Sequence, residues 1–335
     1  MEMVDFVVDT LPHFSRLALV AQSDGGSFWL PPPESVSAWA VDNVFYYIMY
    51  LSYFFFALIT ALLVLFVVRY RRRPGVEAVK TATHSMTLEA VWSLIPLGLV
   101  IIMFYVGFVG YVELRSPPDR AYEISVLGRK WSWQFTYPDG TMATDLHVPV
   151  GEPVRLMMTS EDVIHSLSIP AFRVKMDLVP GRYTRTWFQA KQPGKYDLYC
   201  TEYCGTGHSD MLASVVVHER ADFDEWLKQA GDILGNSATP VEAGEKLFRL
   251  NGCGSCHSTD GTPRIGPTLK GIFGEEHKFL DGSSLTVDEN YVRQSIMEPG
   301  AKVREGYKNQ MPTYKGRISD PEITALIQYL KSLNE

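Results

Sequence analysis

Long apolar runs occur only in the first third of the chain. Residues 44–68 are 25 consecutive residues without a charge, and a second apolar run covers residues 90–112. At about 1.5 Å of rise per residue, a helix of either length can cross the hydrocarbon core of a bilayer. A buried hairpin of a soluble protein is the competing interpretation. The length of the runs and the arginines that follow the first run favour two membrane spans.

Basic residues concentrate in the short connection between these runs. The 69–88 segment holds Arg69, Arg71, Arg72, Arg73 and Lys80, whereas residues 1–43 hold only Arg16. The positive-inside rule therefore predicts a cytoplasmic connection, with both termini on the outer face. Whether residues 1–40 are processed stays open, because the acidic start of the chain lacks the basic region of a secretory signal.

Beyond the apolar runs, two further patterns follow each other. From 121 to 218 the chain has short β-rich runs, such as WSWQFTY and YDLYC, separated by turn residues. Strands at this spacing predict a β-sandwich. After a polar stretch at 231–240 the spacing of apolar residues becomes helical. Near the C-terminus, Ser319 to Glu322 forms a capping box before an apolar helical face.

Charge and cysteine usage narrow the function classes. The net charge of −7 and a pI near 5.7 argue against a nucleic-acid partner. The four cysteines form two close pairs, Cys200 with Cys204 and Cys253 with Cys256. Close pairs with histidines nearby are typical of metal or haem attachment rather than of a disulfide framework.

The first cysteine pair belongs to a segment with the chemistry of a copper site. Within twelve residues it holds two thiols, an imidazole and a thioether, from Cys200, Cys204, His208 and Met211. Soft sulfur ligands with imidazole favour copper over a hard ion, and methionine is rarely a ligand of structural zinc. A further histidine has to come from a distant strand, and His165 is the best placed.

This segment and its surroundings, SEDVIHSLSIP to PGKYDLYCTEYCGTGHSDM, resemble the binuclear copper domain of cytochrome oxidase subunit II. The resemblance covers about residues 121–218 and implies a cupredoxin-like sandwich. It implies two copper ions bridged by Cys200 and Cys204, with His165 and His208 on one copper each. Met211 and the backbone carbonyl of Glu202 are then the weaker ligands.

The same resemblance implies three further roles. The Glu202 carboxylate would reach a magnesium ion at a subunit interface, and Trp131 would lie where electrons enter. Glu89, at the start of the second span, corresponds to a glutamate at the mouth of a proton channel shared with subunit I. A glutamate there also suits the helix dipole, although ionisable groups in membranes are functional candidates. His147 and His218 are predicted to be strand-edge histidines rather than ligands.

The second cysteine pair lies in a c-type haem attachment motif. Cys253 and Cys256 are followed directly by His257, which is the expected proximal ligand of the iron. With the helical run before it and Gly266-Pro-Thr-Leu after it, the segment resembles a class I cytochrome c across about residues 240–335. Met311, in Asn-Gln-Met-Pro-Thr-Tyr, matches the family's sixth ligand. Met297 is expected to pack in the core.

The predicted fold class is a membrane-anchored multidomain protein with a two-helix transmembrane hairpin, an all-β cupredoxin-like sandwich and an all-α class I cytochrome c. The predicted order is an outer-face segment (1–40), the hairpin (41–112), the dicopper domain (113–220), a linker (221–240) and the cytochrome c domain (241–335).

These features predict the electron-transfer subunit II of a terminal cytochrome c oxidase. Electrons would pass from its haem c to the dicopper centre and on to subunit I, where oxygen is reduced to water with proton pumping. Predicted partners are subunit I, the other oxidase subunits and membrane lipid, and the donor is either a cytochrome c or a quinol-oxidising complex. The predicted location is the bacterial plasma membrane, with both soluble domains on the periplasmic face.

Two other functions stay open on the sequence alone. A dicopper subunit of a related nitric oxide reductase could have similar electron-accepting parts. A copper chaperone or storage protein would bind exchangeable single copper and gives no reason for a covalent haem. A quinol oxidase subunit is excluded, because that group lacks the copper ligands that are intact here.

Overall fold

The computed structural model describes residues 25–75 and 83–334. The chain divides into two compact units, Met1–Asp119 with Ala171–Arg173, and Arg120–Pro170 with Val174–Glu335. The acidic start of the chain and Lys80, which entered the predictions of processing and topology, lie outside the described residues.

The first unit contains a hairpin of two long apolar helices, α1 (Ala38–Arg69) and α2 (Met86–Arg115). Both extend beyond the predicted apolar runs, and both are long and apolar enough to cross a membrane. Most of their large side chains are exposed in the isolated chain, as expected for surfaces that face lipid. The helices pack closely where Gly110 meets Ala40, because a Cβ at Gly110 would lie 3.1 Å from the Ala40 carbonyl oxygen.

The second unit begins with a sandwich of two five-stranded sheets. One sheet has the order β3-β2-β1-β5-β8, with β1 Tyr122–Arg129, β2 Ser132–Thr136, β3 Met142–Ala143, β5 Pro153–Ser160 and β8 Thr184–Gln189. The other has the order β4-β10-β9-β6-β7, with β4 Leu146–Pro149, β6 His165–Ile169, β7 Val174–Leu178, β9 Gly194–Cys200 and β10 Leu212–His218.

Alternating burial along the strands builds the sandwich core. In β5, every second residue is buried, including Val154, Leu156 and Met158, and the residues between them are partly exposed. This two-residue period places one face of the strand against the opposite sheet. In β2, Trp133 and Phe135 are buried in the same way. The predicted sandwich is therefore confirmed.

Most of the range predicted as a linker is helical. The helix α3 spans Arg220–Gly231 and packs against the sandwich through Phe223, which is fully buried, and Trp226 one turn later. The Trp226 ring stacks on the His147 ring with centroids 4.0 Å apart. A short amphipathic helix of this kind has few apolar positions, so its period is weak in the sequence.

The remainder of the second unit is mainly helical. It contains α4 (Pro240–Leu250), α5 (Glu289–Met297) and α6 (Asp320–Ser332), together with a small hairpin of β11 (Glu276–Lys278) and β12 (Ser284–Thr286). The predicted capping box at the start of α6 is present, with Glu322 bonded back to Ser319. Helices α4 and α6 touch where Gly244 meets the carbonyl of Ala325.

Candidate copper and haem sites

The first candidate site lies at the end of the second sheet. His165 is the first residue of β6 and Cys200 is the last residue of β9, and these strands pair side by side. Cys204, His208 and Met211 follow on the loop that leads to β10. The loop folds back on the sheet because the amide of Cys200 donates to the carbonyl of Met211. Strand pairing thus brings the distant histidine to the cysteine loop.

The sulfur atoms of the cluster lie close together. Cys200 Sγ is 3.8 Å from Cys204 Sγ, and Cys204 Sγ is 3.8 Å from Met211 Sδ. All three residues are buried. The Cys200 sulfur also lies 3.3 Å from the backbone carbonyl oxygen of Glu202.

One imidazole stands on each side of the two sulfurs. His165 Nδ1 is 4.0 Å from Cys200 Sγ, and His208 Nδ1 is 3.5 Å from Cys204 Sγ. The ligand atoms of His165, Cys200 and Cys204 all lie within 4.8 Å of one another. Two adjacent thiols flanked by two imidazoles and a thioether fit copper, which prefers soft sulfur and imidazole ligands. The structure therefore brings together His165, Cys200, Glu202, Cys204, His208 and Met211, as the sequence predicted.

The two thiols differ in proton affinity. Burial raises the pKa of both, but hydrogen bonds from His165 and from the backbone outweigh burial at Cys200 and lower its pKa. At Cys204, burial and the neighbouring Cys200 thiolate both raise the pKa. The pair therefore loses its first proton readily and its second reluctantly, and a bound cation has to displace the second.

Sequence reasoning missed the partner of His165. The Nε2 atom of this fully buried histidine lies 2.8 Å from Asp162 Oδ1, so Nδ1 is left facing Cys200. Asp162 also accepts hydrogen bonds from the amides of Lys130 and Val163. Metal-binding histidines commonly donate their second ring nitrogen to a carboxylate in this way. An aspartate three residues before the histidine was the available signal.

Trp131 lies in the turn between β1 and β2 and rests on the cysteine loop. A Cβ added at Gly207 would be 2.6 Å from the Trp131 ring, and one at Gly205 would be 3.0 Å from it. Only residues without a side chain permit this contact, so the glycines serve the packing of the indole as well as the curvature of the loop. Trp133 is buried in the sandwich core, as predicted, with its ring 6.1 Å from that of His165.

The remaining candidate side chains are those of His147, His218, Glu89 and Glu202. His147 and His218 bond to each other, with Nδ1 2.8 Å from Nε2, and both stack with Trp226. Glu89 lies in the first turn of α2, where its carboxylate accepts from the amide of Ser85. The side chain of Glu202 is exposed.

The second candidate site surrounds the Cys-Gly-Ser-Cys-His motif after α4. His257 Nδ1 lies 2.8 Å from the carbonyl oxygen of Pro267, which leaves Nε2 available to a metal. Burial lowers the pKa of His257 and so favours the neutral imidazole that iron needs. Gly266 packs against this ring, and a Cβ there would lie 2.7 Å from it. Two free thiols beside a held imidazole fit a c-type haem.

The predicted sixth ligand lies on a loop secured to α5. Met311 is half-buried and packs against the helical core. Three residues later, the amide of Tyr314 donates to the carbonyl of Ile296 at the end of α5, and its hydroxyl donates to the carbonyl of Asn251 beside the haem motif. Met297 also packs against this core, as expected of a structural residue.

The haem motif packs directly against the Trp131 turn. Ser255 Oγ donates to the carbonyl oxygen of Trp131 at 3.4 Å, and Gly252 approaches Ser132 so closely that a Cβ would lie 2.6 Å from its hydroxyl. At the rim, Arg317 forms a two-pronged ion pair with Glu161 at 2.8 and 3.1 Å. Trp131 therefore touches the cysteine loop with its ring and the haem motif with its backbone.

Family comparisons agree with this division of the chain. Residues 25–111 match the transmembrane domain of cytochrome c oxidase subunit II, residues 141–219 its periplasmic domain, and residues 241–334 cytochrome c. The chain is 31% identical over 319 residues to cytochrome c oxidase subunit 2 of Alkalihalophilus pseudofirmus, and the match covers 91% of this chain and 90% of that protein.

This chain belongs to the cytochrome c oxidase subunit II family. Other subunit II relatives include that of Thermostichus vulcanus, 31% identical with 61% of this chain and 81% of that protein covered. The alternative subunit 2 of Bradyrhizobium diazoefficiens is 28% identical, with 62% and 87% covered.

Membership of this subunit II family has direct consequences. The chain is a subunit of a haem-copper oxidase, an oxidoreductase complex, and associates with other oxidase subunits. It acts in electron transfer and carries a fused cytochrome c domain. The subunit II domain implies a CuA copper centre, and the cytochrome c domain implies haem c. Two apolar helices anchor the protein in a membrane, with its other domains facing outwards.

Proposed function

We propose that this subunit relays electrons from its own haem c to a binuclear copper centre and on to the catalytic subunit of the oxidase. The observation that carries the proposal is the position of Trp131, which contacts the cysteine loop and the haem motif at once. A relay needs its two redox groups close together, and here one side chain spans the space between their binding segments. In the partner chain, oxygen would be reduced to water with proton pumping.

The cysteine cluster would hold two copper ions. Cys200 and Cys204 would bridge them, His165 and His208 would each bind one, and Met211 and the Glu202 carbonyl would be weaker ligands. When bound, such a pair supplies a one-electron redox centre whose charge is shared between two metals. The chain supports this chemistry by orienting His165 through Asp162 and by burying both thiols.

The cytochrome domain would hold one covalent haem. Cys253 and Cys256 would form the thioether links, and His257 and Met311 would be the ligands of the iron. The Pro267 carbonyl orients His257, and the contacts of Tyr314 hold the Met311 loop. Ligation of the iron by methionine and histidine favours a high reduction potential. A high potential suits a domain that accepts electrons from an external donor.

Trp131 would be the point at which electrons enter the copper domain. Its indole lies against the cysteine loop, and its carbonyl accepts from Ser255 of the haem motif. The donor that reduces the haem would be a small cytochrome c or a quinol-oxidising complex. The oxidase would lie in the bacterial plasma membrane, with the two soluble domains of this subunit on the periplasmic side and lipid around α1 and α2.

Glu89 is proposed as a proton-uptake residue of the assembled oxidase. Its carboxylate caps the start of α2 in the isolated chain, so the chain alone gives it a structural role as well. A Glu89→Gln oxidase should assemble, because an amide oxygen can still accept the capping bond, but should take up protons and turn over more slowly. Unchanged turnover and proton uptake would contradict this role.

Glu202 is likewise proposed to bind magnesium at the interface with the catalytic subunit.

The relay is tested by counting metals and spins in the full chain. Purified protein should contain two copper ions and one covalent low-spin haem per chain. Its electron paramagnetic resonance spectrum should show one unpaired electron shared by two equivalent copper nuclei. Separate mononuclear copper signals, or zinc in place of copper, would contradict the relay and favour a copper chaperone or storage protein.

A further inference from the structure

A buried arginine of the sandwich lies where the copper and haem regions meet. Arg129 is the last residue of β1 and pairs with Ser132 across the turn that carries Trp131. It is only 7% exposed. The same turn meets the haem motif through the contacts of Trp131 with Ser255 and of Ser132 with Gly252.

The charge of this arginine has no carboxylate partner in the described part of the chain. Its guanidinium donates to the side-chain oxygen of Gln134, and its Nε atom is buried without a hydrogen-bond partner among the described residues. Two acidic residues that follow β5 and bond to the backbone of this turn, Glu161 and Asp162, have other partners for their carboxylates. Glu161 pairs with Arg317, and Asp162 bonds to His165 and to the amide of Lys130. A buried charge without a counter-ion is costly, and its field is weakly screened.

The charge of Arg129 acts on groups of the haem region. Burial raises the pKa of the Cys253 thiol, and the positive charge of Arg129 opposes that rise. It acts in the same direction on Tyr314, whose pKa burial also raises. Both groups lie at the haem motif, and Tyr314 bonds to the carbonyl of Asn251 just before it.

We infer that Arg129, a residue of the copper domain, raises the reduction potential of the haem c in the neighbouring cytochrome domain. Reduction adds one negative charge at the iron, and a nearby buried cation stabilises the state with the extra electron. Arg129 thus makes the haem a better acceptor from the external donor. This inference rests on the proposed haem site and goes beyond it, because it assigns to one domain the tuning of the redox group of the other.

The test is a spectroelectrochemical titration of the haem in the full chain loaded with haem and copper. Arg129→Gln should lower the reduction potential by about 59 mV, which is a roughly tenfold change in a one-electron equilibrium. Arg129→Lys retains the positive charge and should keep the reduction potential close to that of the wild type. An unchanged potential in Arg129→Gln would overturn the inference. Equal losses in the glutamine and lysine variants would overturn it too, because they would indicate packing rather than charge.

A second pair of variants leaves Arg129 in place. Gln134→Glu replaces the amide that the Arg129 guanidinium donates to by a carboxylate and should lower the haem potential, whereas the uncharged Gln134→Leu should change it much less. Equal potentials for the two would contradict the inference even if Arg129→Gln failed to fold. Iron, copper and spin counts made first separate the two claims. A chain without haem would overturn both, whereas a fully loaded chain with an unchanged potential would overturn only the role of Arg129.

Discussion

The copper and haem regions position their predicted ligands by different means. In the copper region, Cys200 to Met211 form one loop, strand pairing adds His165, and neighbouring donor atoms lie 3.3–4.0 Å apart. In the haem region, the attachment motif and Met311 lie on separate segments either side of α5. Here backbone and tyrosine contacts hold the ligand loop, and the iron would complete the link.

The difference shows what each site depends on. The copper donors are positioned by the register of β6 and β9, so changes at one donor should leave the sandwich folded but unable to hold the metal pair. In the haem region, a covalent haem would add a further link between the attachment motif and the Met311 loop, beyond the contacts of Tyr314. Covalent attachment is therefore expected to matter for folding there and not in the sandwich.

The largest effect is expected from removal of one bridging thiol. Cys204→Ser should lower copper affinity more than about 100-fold, because each copper loses a strong ligand and the shared-spin signal cannot form. Copper analysis and electron paramagnetic resonance measure this directly. Haem content should stay at one per chain, which serves as the internal control. Full copper with an unchanged signal would refute the assignment of Cys204.

The carboxylate behind His165 should matter next. Asp162→Asn should weaken copper binding roughly 10- to 100-fold, because a mispositioned imidazole binds metal less well. Asp177→Asn is a matched control. Asp177, on β7, accepts a hydrogen bond from Ser166, the neighbour of His165 on β6, and not from His165 itself. Competition with a copper chelator gives both affinities. Equal losses in the two variants would show a general effect on the sandwich instead.

In the haem region, Met311→Leu should retain the covalent haem but lower its potential by at least about 59 mV, a tenfold change. The loss of the thioether ligand should also appear as a change in spin state in the absorption spectrum. Met297→Leu tests the same substitution at a core position of α5 and should leave the potential near that of the wild type. A lower potential in Met297→Leu, with an unchanged potential in Met311→Leu, would identify Met297 as the ligand instead.

Acid should destabilise the sandwich side through the pair of His147 and His218. Burial, followed by the His218 and Lys195 charges, lowers the pKa of His147 from 6.5 to about 4, and burial lowers that of His218 against the pull of Asp222. A histidine whose pKa is lower in the folded than in the unfolded state stabilises the fold above pH 6.5, and this stability is lost as the pH falls towards 4. Urea unfolding at pH 6.5 and 5 should show a loss of about 1–2 kcal/mol.

The control for this pH effect is His147→Phe, which keeps an aromatic ring for stacking on Trp226 but cannot be protonated. Unfolding followed by the haem absorbance and by near-ultraviolet circular dichroism separates the two regions. The variant should flatten the pH dependence on the sandwich side. A pH dependence equal to that of the wild type would exclude the histidine pair as its source.

The sequence was sufficient to predict the main parts of the fold and to propose residues for each site. Charge-free runs, the two-residue period and the spacing of the two cysteine motifs predicted the hairpin, the sandwich and the helical domain, because these signals are local. The partnership of Asp162 with His165 and the helix α3 were missed, since a single carboxylate and two aromatic residues carry little periodicity. The packing of Ser255 on Trp131 and the burial of Arg129 depend on contacts between distant segments, which no local pattern encodes.

The central claim, that electrons reach the copper centre through the haem of the same chain, is tested most directly by rapid photochemical reduction of the fully loaded chain. The haem absorbance should show reduction first and then reoxidation as the copper absorbance changes, at a rate independent of protein concentration. Copper reduction without a preceding haem signal, or a rate that rises with protein concentration, would contradict the relay.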